Sequence, residues 1–226
     1  MRGLFITCEG PEGSGKSTHS RRLAEQLRVS GVTVLHTREP GGTPTGEAVR
    51  QLLQHDGAGE SPVATAEVLL FCASRAQLTA QVIVPALERG TWVVCDRFTD
   101  STLAYQGYGR GFDLDTLRAL NTFATGGLVP DLTLLFDIGT QIGFQRVHAR
   151  TGEAGAVPAD RFERESRAFH EKIRNGFLDL ASREPRRFRV LDTAQPVEAV
   201  CAKVWQAVLP HLPAPSATEE AVGHAG

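Results

Sequence analysis

The 226-residue chain has little lysine, cysteine or asparagine, and no long apolar run. Arginine supplies 21 of its 24 basic residues and the formal net charge is −2, which argues against a general nucleic-acid binder, whose phosphate contacts need a basic excess. Positive charge must therefore be local. The four cysteines, Cys8, Cys72, Cys95 and Cys201, lie far apart in apolar stretches, without metal-type spacing, and read as reduced core residues of a cytoplasmic protein. Asn121 and Asn175 are the only asparagines, so the Asn-Lys-x-Asp guanine motif of a common class of nucleotide switch is missing. No apolar stretch approaches membrane-spanning length, and the first is a short strand rather than a signal-peptide core; we expect no membrane partner.

Against this background, the segment Gly10-Pro11-Glu12-Gly13-Ser14-Gly15-Lys16-Ser17, directly after the apolar run Leu4–Cys8, stands out as a phosphate-binding loop. The glycines let the backbone wrap until consecutive N–H groups face the β-phosphate. Lys16 reaches the β and γ oxygens, and the Ser17 hydroxyl is the expected Mg²⁺ ligand. Thr18 opens the following helix, whose N-terminal dipole adds to the site. ATP and Mg²⁺ are the implied donor and cofactor.

Five short apolar runs, Leu4–Cys8, Val32–Leu35, Trp92–Cys95, Leu132–Phe136 and Phe188–Leu191, alternate with helical patterns at Lys16–Val29, Pro44–Leu53, Ala66–Glu88, Leu114–Thr125, Ile142–Arg150, Arg161–Ala181 and Pro196–Val208. Near-continuous apolarity implies strands buried on both faces. The fold class is thus α/β, a three-layer sandwich with a five-stranded parallel sheet flanked by helices. We expect a single domain over residues 1–210, a mobile loop at Thr151–Pro158 within a lid around 146–161, and a disordered tail over 211–226.

Ligands in such folds gather beyond the carboxyl ends of the strands, and each run ends there in polar residues. Asp96 suits the metal side of the site, together with Ser17. Arg97 is better matched to a second anion, because a guanidinium grips phosphate oxygens bidentately. Arg38 precedes the rigid turn Glu39-Pro40-Gly41-Gly42-Thr43. With Arg75, these cations could hold two phosphorylated molecules, as a phosphotransferase between nucleotides requires.

The segments Gly10–Ser17, Thr37–Thr43, Leu70–Arg75, Cys95–Phe98, Ala104–Gly107 and Pro130–Thr133 together resemble the bacterial thymidylate kinase family of P-loop nucleoside monophosphate kinases, in order and at similar spacing over roughly residues 3 to 208. The resemblance implies phosphorylation of thymidine monophosphate by ATP for dTTP synthesis, with a homodimer packed through helices. It places Phe71 against thymine, Arg75 on a ring carbonyl, and Thr102 and Gln106 near the pyrimidine's polar edge. Tyr105 falls where a ring crowds the sugar's 2′ position, and Arg38, Glu39, Pro40, Arg50 and Arg97 around the acceptor phosphate. The loop carries acidic Glu12 and no cation except Lys16, so the remaining positive charge is expected from Arg146, Arg150 or Arg161, with Arg150 and Arg161 joining Lys16 and Arg97 as the catalytic set. Asp192–Pro196 resembles the base-contacting loop on the adenine side. A kinase for another nucleoside monophosphate and a nucleotide-dependent switch remain the alternatives.

Overall fold

The protein, described by a computed structural model, is placed over residues 2–54, 59–151 and 161–213, with the side chains of Arg150 and Thr151 outside that description. Strand β1 (Phe5–Glu9) runs through the phosphate loop into α1 (Lys16–Val29). Next come β2 (Val34–Arg38), α2 (Pro44–Gln54), α3 (Ala64–Leu78), a π-helical turn at Thr79–Ile83 and α4 (Val84–Glu88). Strand β3 (Trp92–Asp96) is followed by the short α5 (Thr99–Thr102), a π-helical stretch at Leu103–Gly109 and α6 (Leu114–Thr125). The chain continues through β4 (Leu132–Asp137), α7 (Thr140–Thr151), α8 (Arg167–Arg183), β5 (Phe188–Asp192) and α9 (Val197–Val208).

All five strands are parallel, in the order β2-β3-β1-β4-β5. The three central strands are buried along nearly their whole length, as strands covered on both faces by crossover helices must be. Alternation then sorts their side chains. Leu134 and Phe136 join Leu23, Leu27, Val200 and Val204 of α1 and α9 on one face. Leu135 joins Phe169, Ile173 and Phe177 of α8 on the other. Val93, Cys95 and Phe98 close a third cluster with Leu78, Ile83 and Leu87. Contrary to the sequence reading that no stretch approaches membrane-spanning length, the helical run Ala64–Glu88 is apolar and long enough by composition, yet it carries buried Glu67 and Arg75 in ion pairs, which marks it as a core helix.

The differences from the sequence reading have local causes. The edge strand β2 spans Val34–Arg38 rather than Val32–Leu35, because His36, Thr37 and Arg38 complete the ladder to Val94–Asp96 although their side chains are polar. The helix expected from Arg161 starts at Arg167, where the Ser166 hydroxyl caps it by accepting from the Phe169 N–H at 3.2 Å. The helical segment Thr99–Gly109 was not foreseen. The expected mobile loop lies almost wholly in 152–160, and most of the tail beyond 213, outside the described residues.

Phe177 is fully buried and packs edge-on against Tyr105 at 6.2 Å between ring centroids. Phe177→Ala is expected to lower unfolding stability by about 3–5 kcal/mol through lost transfer and cavity terms, read as a reduced urea midpoint.

Candidate active site

The phosphate loop is built on backbone conformations that its glycines supply. Gly10 has φ 146°, and a Cβ there would sit 2.3 Å from the Phe136 carbonyl oxygen; Gly15, at φ 86°, turns the chain into α1. No side chain caps α1, so its first N–H groups remain available for an anion. Lys16 lies buried across the loop, its Nζ donating to the Pro11 carbonyl at 2.8 Å. Burial, and then the Arg97 charge, lower its pKa to about 8 in spite of Glu12, Asp96 and Glu9. Gly10, Pro11 and Ser14 shape the loop from behind, whereas Glu12, Gly13, Gly15, Lys16, Ser17 and Thr18 face a cleft of about 700 Å³.

Parallel pairing brings the other strand ends alongside. Cys8 and Arg38 are both register partners of Asp96, and the Glu39 N–H donates to the Asp96 carbonyl at 2.9 Å. The Ser17 hydroxyl donates to Asp96 Oδ2, while the buried Oδ1 has no hydrogen-bond partner among the described residues. A hydroxyl beside a carboxylate with an unused buried oxygen is a fitting donor set for a hard divalent cation.

Arg97 adopts a left-handed backbone at φ 71°, and Glu9 is the reason. Its fully buried carboxylate accepts from the Phe98 N–H at 2.7 Å, the Ser101 N–H at 3.3 Å and the Ser101 hydroxyl at 2.6 Å, fixing the turn on which Arg97 stands. Burial and the neighbouring Asp100 push the Glu9 carboxyl up to about 8. The Arg97 guanidinium pairs with Glu12 and lies 4.9 Å from the Tyr105 ring centroid, and the Tyr105 hydroxyl donates to the same Glu12 oxygen at 2.7 Å. Burial alone would raise the Glu12 carboxyl, but Arg97, Lys16 and Tyr105 hold it at about 2. The sequence flagged Glu12 as a loop residue and missed both this pairing and the role of Glu9.

On the far side of the cleft stand Arg38, Glu39, Pro40, Arg50, Phe71, Thr102, Tyr105 and Gln106, together with Phe162, which no motif pointed to. Arg38 pairs with Glu47 at 2.9 Å, half-exposed, and Arg50 donates to the Pro40 carbonyl at 3.1 Å. The Phe71 ring lies 5.8 Å from Phe162, leaving an aromatic wall.

Two expected contacts differ in the structure. Arg75 is 1% exposed and does not line the cleft. All five of its N–H donors are engaged: Nε and Nη2 with Glu39 at 2.9 and 2.7 Å, Nη1 with Thr102 and Asn121 at 2.9 and 2.6 Å, and Nη2 with the Phe98 carbonyl at 3.1 Å. Arg75 thereby holds the Thr102 hydroxyl oxygen, and Thr102 itself lines the cleft. Arg161 donates to Glu67 at 2.7 Å and to the Leu53 carbonyl at 3.1 Å, which draws it to the wall of α2 and α3 and out of the cleft lining. Arg146 does line the cleft, donating to the Thr193 carbonyl at 2.9 Å, beside Thr193, Gln195 and Val197. The Arg150 side chain lies outside the described residues.

Comparison with known proteins identifies relatives along nearly the whole chain. The family model described as thymidylate kinase matches residues 8–204. The chain is 50% identical to the thymidylate kinase of Deinococcus radiodurans over 207 residues, covering 92% of this chain and 97% of that protein. It is 48% identical to the thymidylate kinase of Geobacter sulfurreducens over 211 residues, 93% and 99% of the two chains, and 52% identical to that of Pseudomonas putida strain GB-1 over 212 residues, 94% and 97%.

With Lys16 lowered to about 8, a triphosphate placed beside it would raise it again, so binding at pH 8 is expected to take up protons and affinity to fall as the pH rises beyond that. Calorimetry in two buffers of different ionisation enthalpy measures the uptake; identical apparent enthalpies at pH 8 would contradict it.

Proposed function

The chain belongs to the thymidylate kinase family, and from that premise we infer that it transfers the γ-phosphoryl group of ATP to thymidine monophosphate, giving thymidine diphosphate and ADP. The observation that carries this reading is one continuous cleft lined by the phosphate loop on one side and by Phe71, Arg38, Arg97 and Gln106 on the other. A hydrolase needs only the first half.

In the proposed reaction an oxygen of the acceptor phosphate attacks the γ-phosphorus in line, forming the new O–P bond as the bond to the β-phosphate oxygen breaks. That oxygen is already ionised, so the protein supplies positioning and charge rather than a base. Lys16 leaves the Pro11 carbonyl for the β and γ oxygens. Arg97 exchanges Glu12 for the acceptor phosphate, with Arg38 and Arg50 beside it. Ser17 and Asp96 would hold a magnesium ion, which supplies neutralisation of the phosphate charge. Phe71 and Phe162 offer a stacking surface for the base, and the Thr102 hydroxyl, held by Arg75, donates to a ring carbonyl. Tyr105 packs under the sugar. We keep Arg146 and Arg150 as the cations next to the transferring group and assign Arg161 to the acceptor wall.

We also propose a single kinase domain acting as a cytoplasmic homodimer. Its support is Phe123 on α6, 90% exposed, and Leu69 on the adjoining α3, both apolar and turned outward.

In a coupled ADP assay, thymidine monophosphate should be preferred over a panel of other monophosphates, and chelation of divalent cations should abolish turnover. Lys16→Ala should lower kcat by roughly 10³-fold. ADP release independent of any acceptor, or a preference for deoxycytidine or guanosine monophosphate, would overturn the assignment. Phe123→Asp should shift the mass in light scattering from dimer to monomer; an unchanged mass removes this face as the interface.

A further inference from the structure

Glu67 lies on α3, fully buried, and outside every motif of the phosphate site. Its Oε1 accepts from the Gln106 side-chain amide at 2.8 Å and from Arg110 Nε at 3.3 Å. Its Oε2 accepts from Arg161 at 2.7 Å and from Arg110 Nη2 at 3.3 Å. Paired with two guanidiniums, this carboxylate acts only as an acceptor. The amide nitrogen of Gln106 is therefore the end that must face it. Gln106 lines the cleft, and among the described residues no hydrogen bond reaches its amide oxygen.

We propose that Glu67 is a positioning residue for base discrimination: it locks the Gln106 carboxamide with its oxygen toward the cleft, where it accepts the ring N–H of a keto pyrimidine. This rests on the reading of the cleft as a thymidine monophosphate site and adds the device that sets its polarity. A flipped amide would place its oxygen against the Glu67 carboxylate, a repulsive contact in a buried site. The same flip would turn an N–H₂ toward the cleft, matching cytosine, whose ring nitrogen is an acceptor. One buried charge thus fixes which of two nearly isosteric amide orientations meets the base. Pairing with both arginines keeps that charge in place whether or not a ligand is bound.

Glu67→Gln keeps the shape but can donate to the Gln106 oxygen, so both orientations become possible. The ratio of kcat/KM for thymidine over deoxycytidine monophosphate should fall by about 10–100-fold. KM for thymidine monophosphate should rise by about 10-fold, with kcat and the KM for ATP changing by less than about threefold. In a Gln106→Leu background the same substitution should cause no further loss of discrimination. A general loosening would lower kcat and raise both KM values together, and would be additive with Gln106→Leu; either result overturns the proposal. Where Glu67→Gln does not fold, the wild-type protein labelled with ¹⁵N-glutamine gives the answer. The Gln106 amide protons should stay protected from solvent exchange with and without thymidine monophosphate, and loss of protection on binding overturns the proposal. A wild-type protein inactive on thymidine monophosphate would instead sink the functional reading itself.

Discussion

Among the described residues the most deeply buried arginines each meet a carboxylate, and the cleft is organised around those meetings. Arg75 is matched by Glu39, Arg97 by Glu12, Arg161 and Arg110 by Glu67, and Arg187 by Asp100. Removing one partner from such a pair strands a charge at a cost of several kcal/mol. They divide into two kinds. Arg97 and Glu12 line the cleft and can separate when a stronger anion arrives. Arg75 and Glu39 lie largely below it and keep their geometry, so they hold other side chains in place rather than gripping a ligand.

The two halves of the cleft use different chemistry for the same reason. In the proposed reading the triphosphate itself meets backbone N–H groups, Lys16 and a helix end, none of which reads a base, with Arg146, Thr193 and Gln195 lining the cleft beyond them. The acceptor half is made of side chains from α3, the α5 segment and the π-helical stretch after it, where one extra residue per turn sets Tyr105 and Gln106 beside Thr102. Selectivity can reside there because the groups are buried and each has a fixed partner.

The five parallel strands and the phosphate loop were legible because they depend on local signals, apolar runs and glycine spacing, whereas the order of the strands in the sheet was not read from the sequence. Helices α1 and α6 fell where their apolar stripes and flanking glycines put them. The edge strand β2 was misplaced because its outer half is polar and is held by the ladder alone. Arg75 was read as a ring-carbonyl contact and not as a buried residue, since nothing in its neighbourhood announces Asn121 or Glu39 as partners. Glu9 and Glu67 were invisible for the same reason: a carboxylate in an apolar stretch gains its meaning from residues 92 positions away for Ser101 and 94 for Arg161.

The open start of α1 has a consequence for how the molecule is completed. Among the described helices, α6 and α8 are closed at their start by a side chain of the chain itself, Asp113 and Ser166. At α1 the cap residue is Gly15 and no side chain accepts from the first amides, so in the proposed reading phosphate oxygens of the nucleotide take that place. In that sense the triphosphate is the last residue of the fold: the polypeptide leaves one piece of its own secondary structure unfinished, and its cargo finishes it.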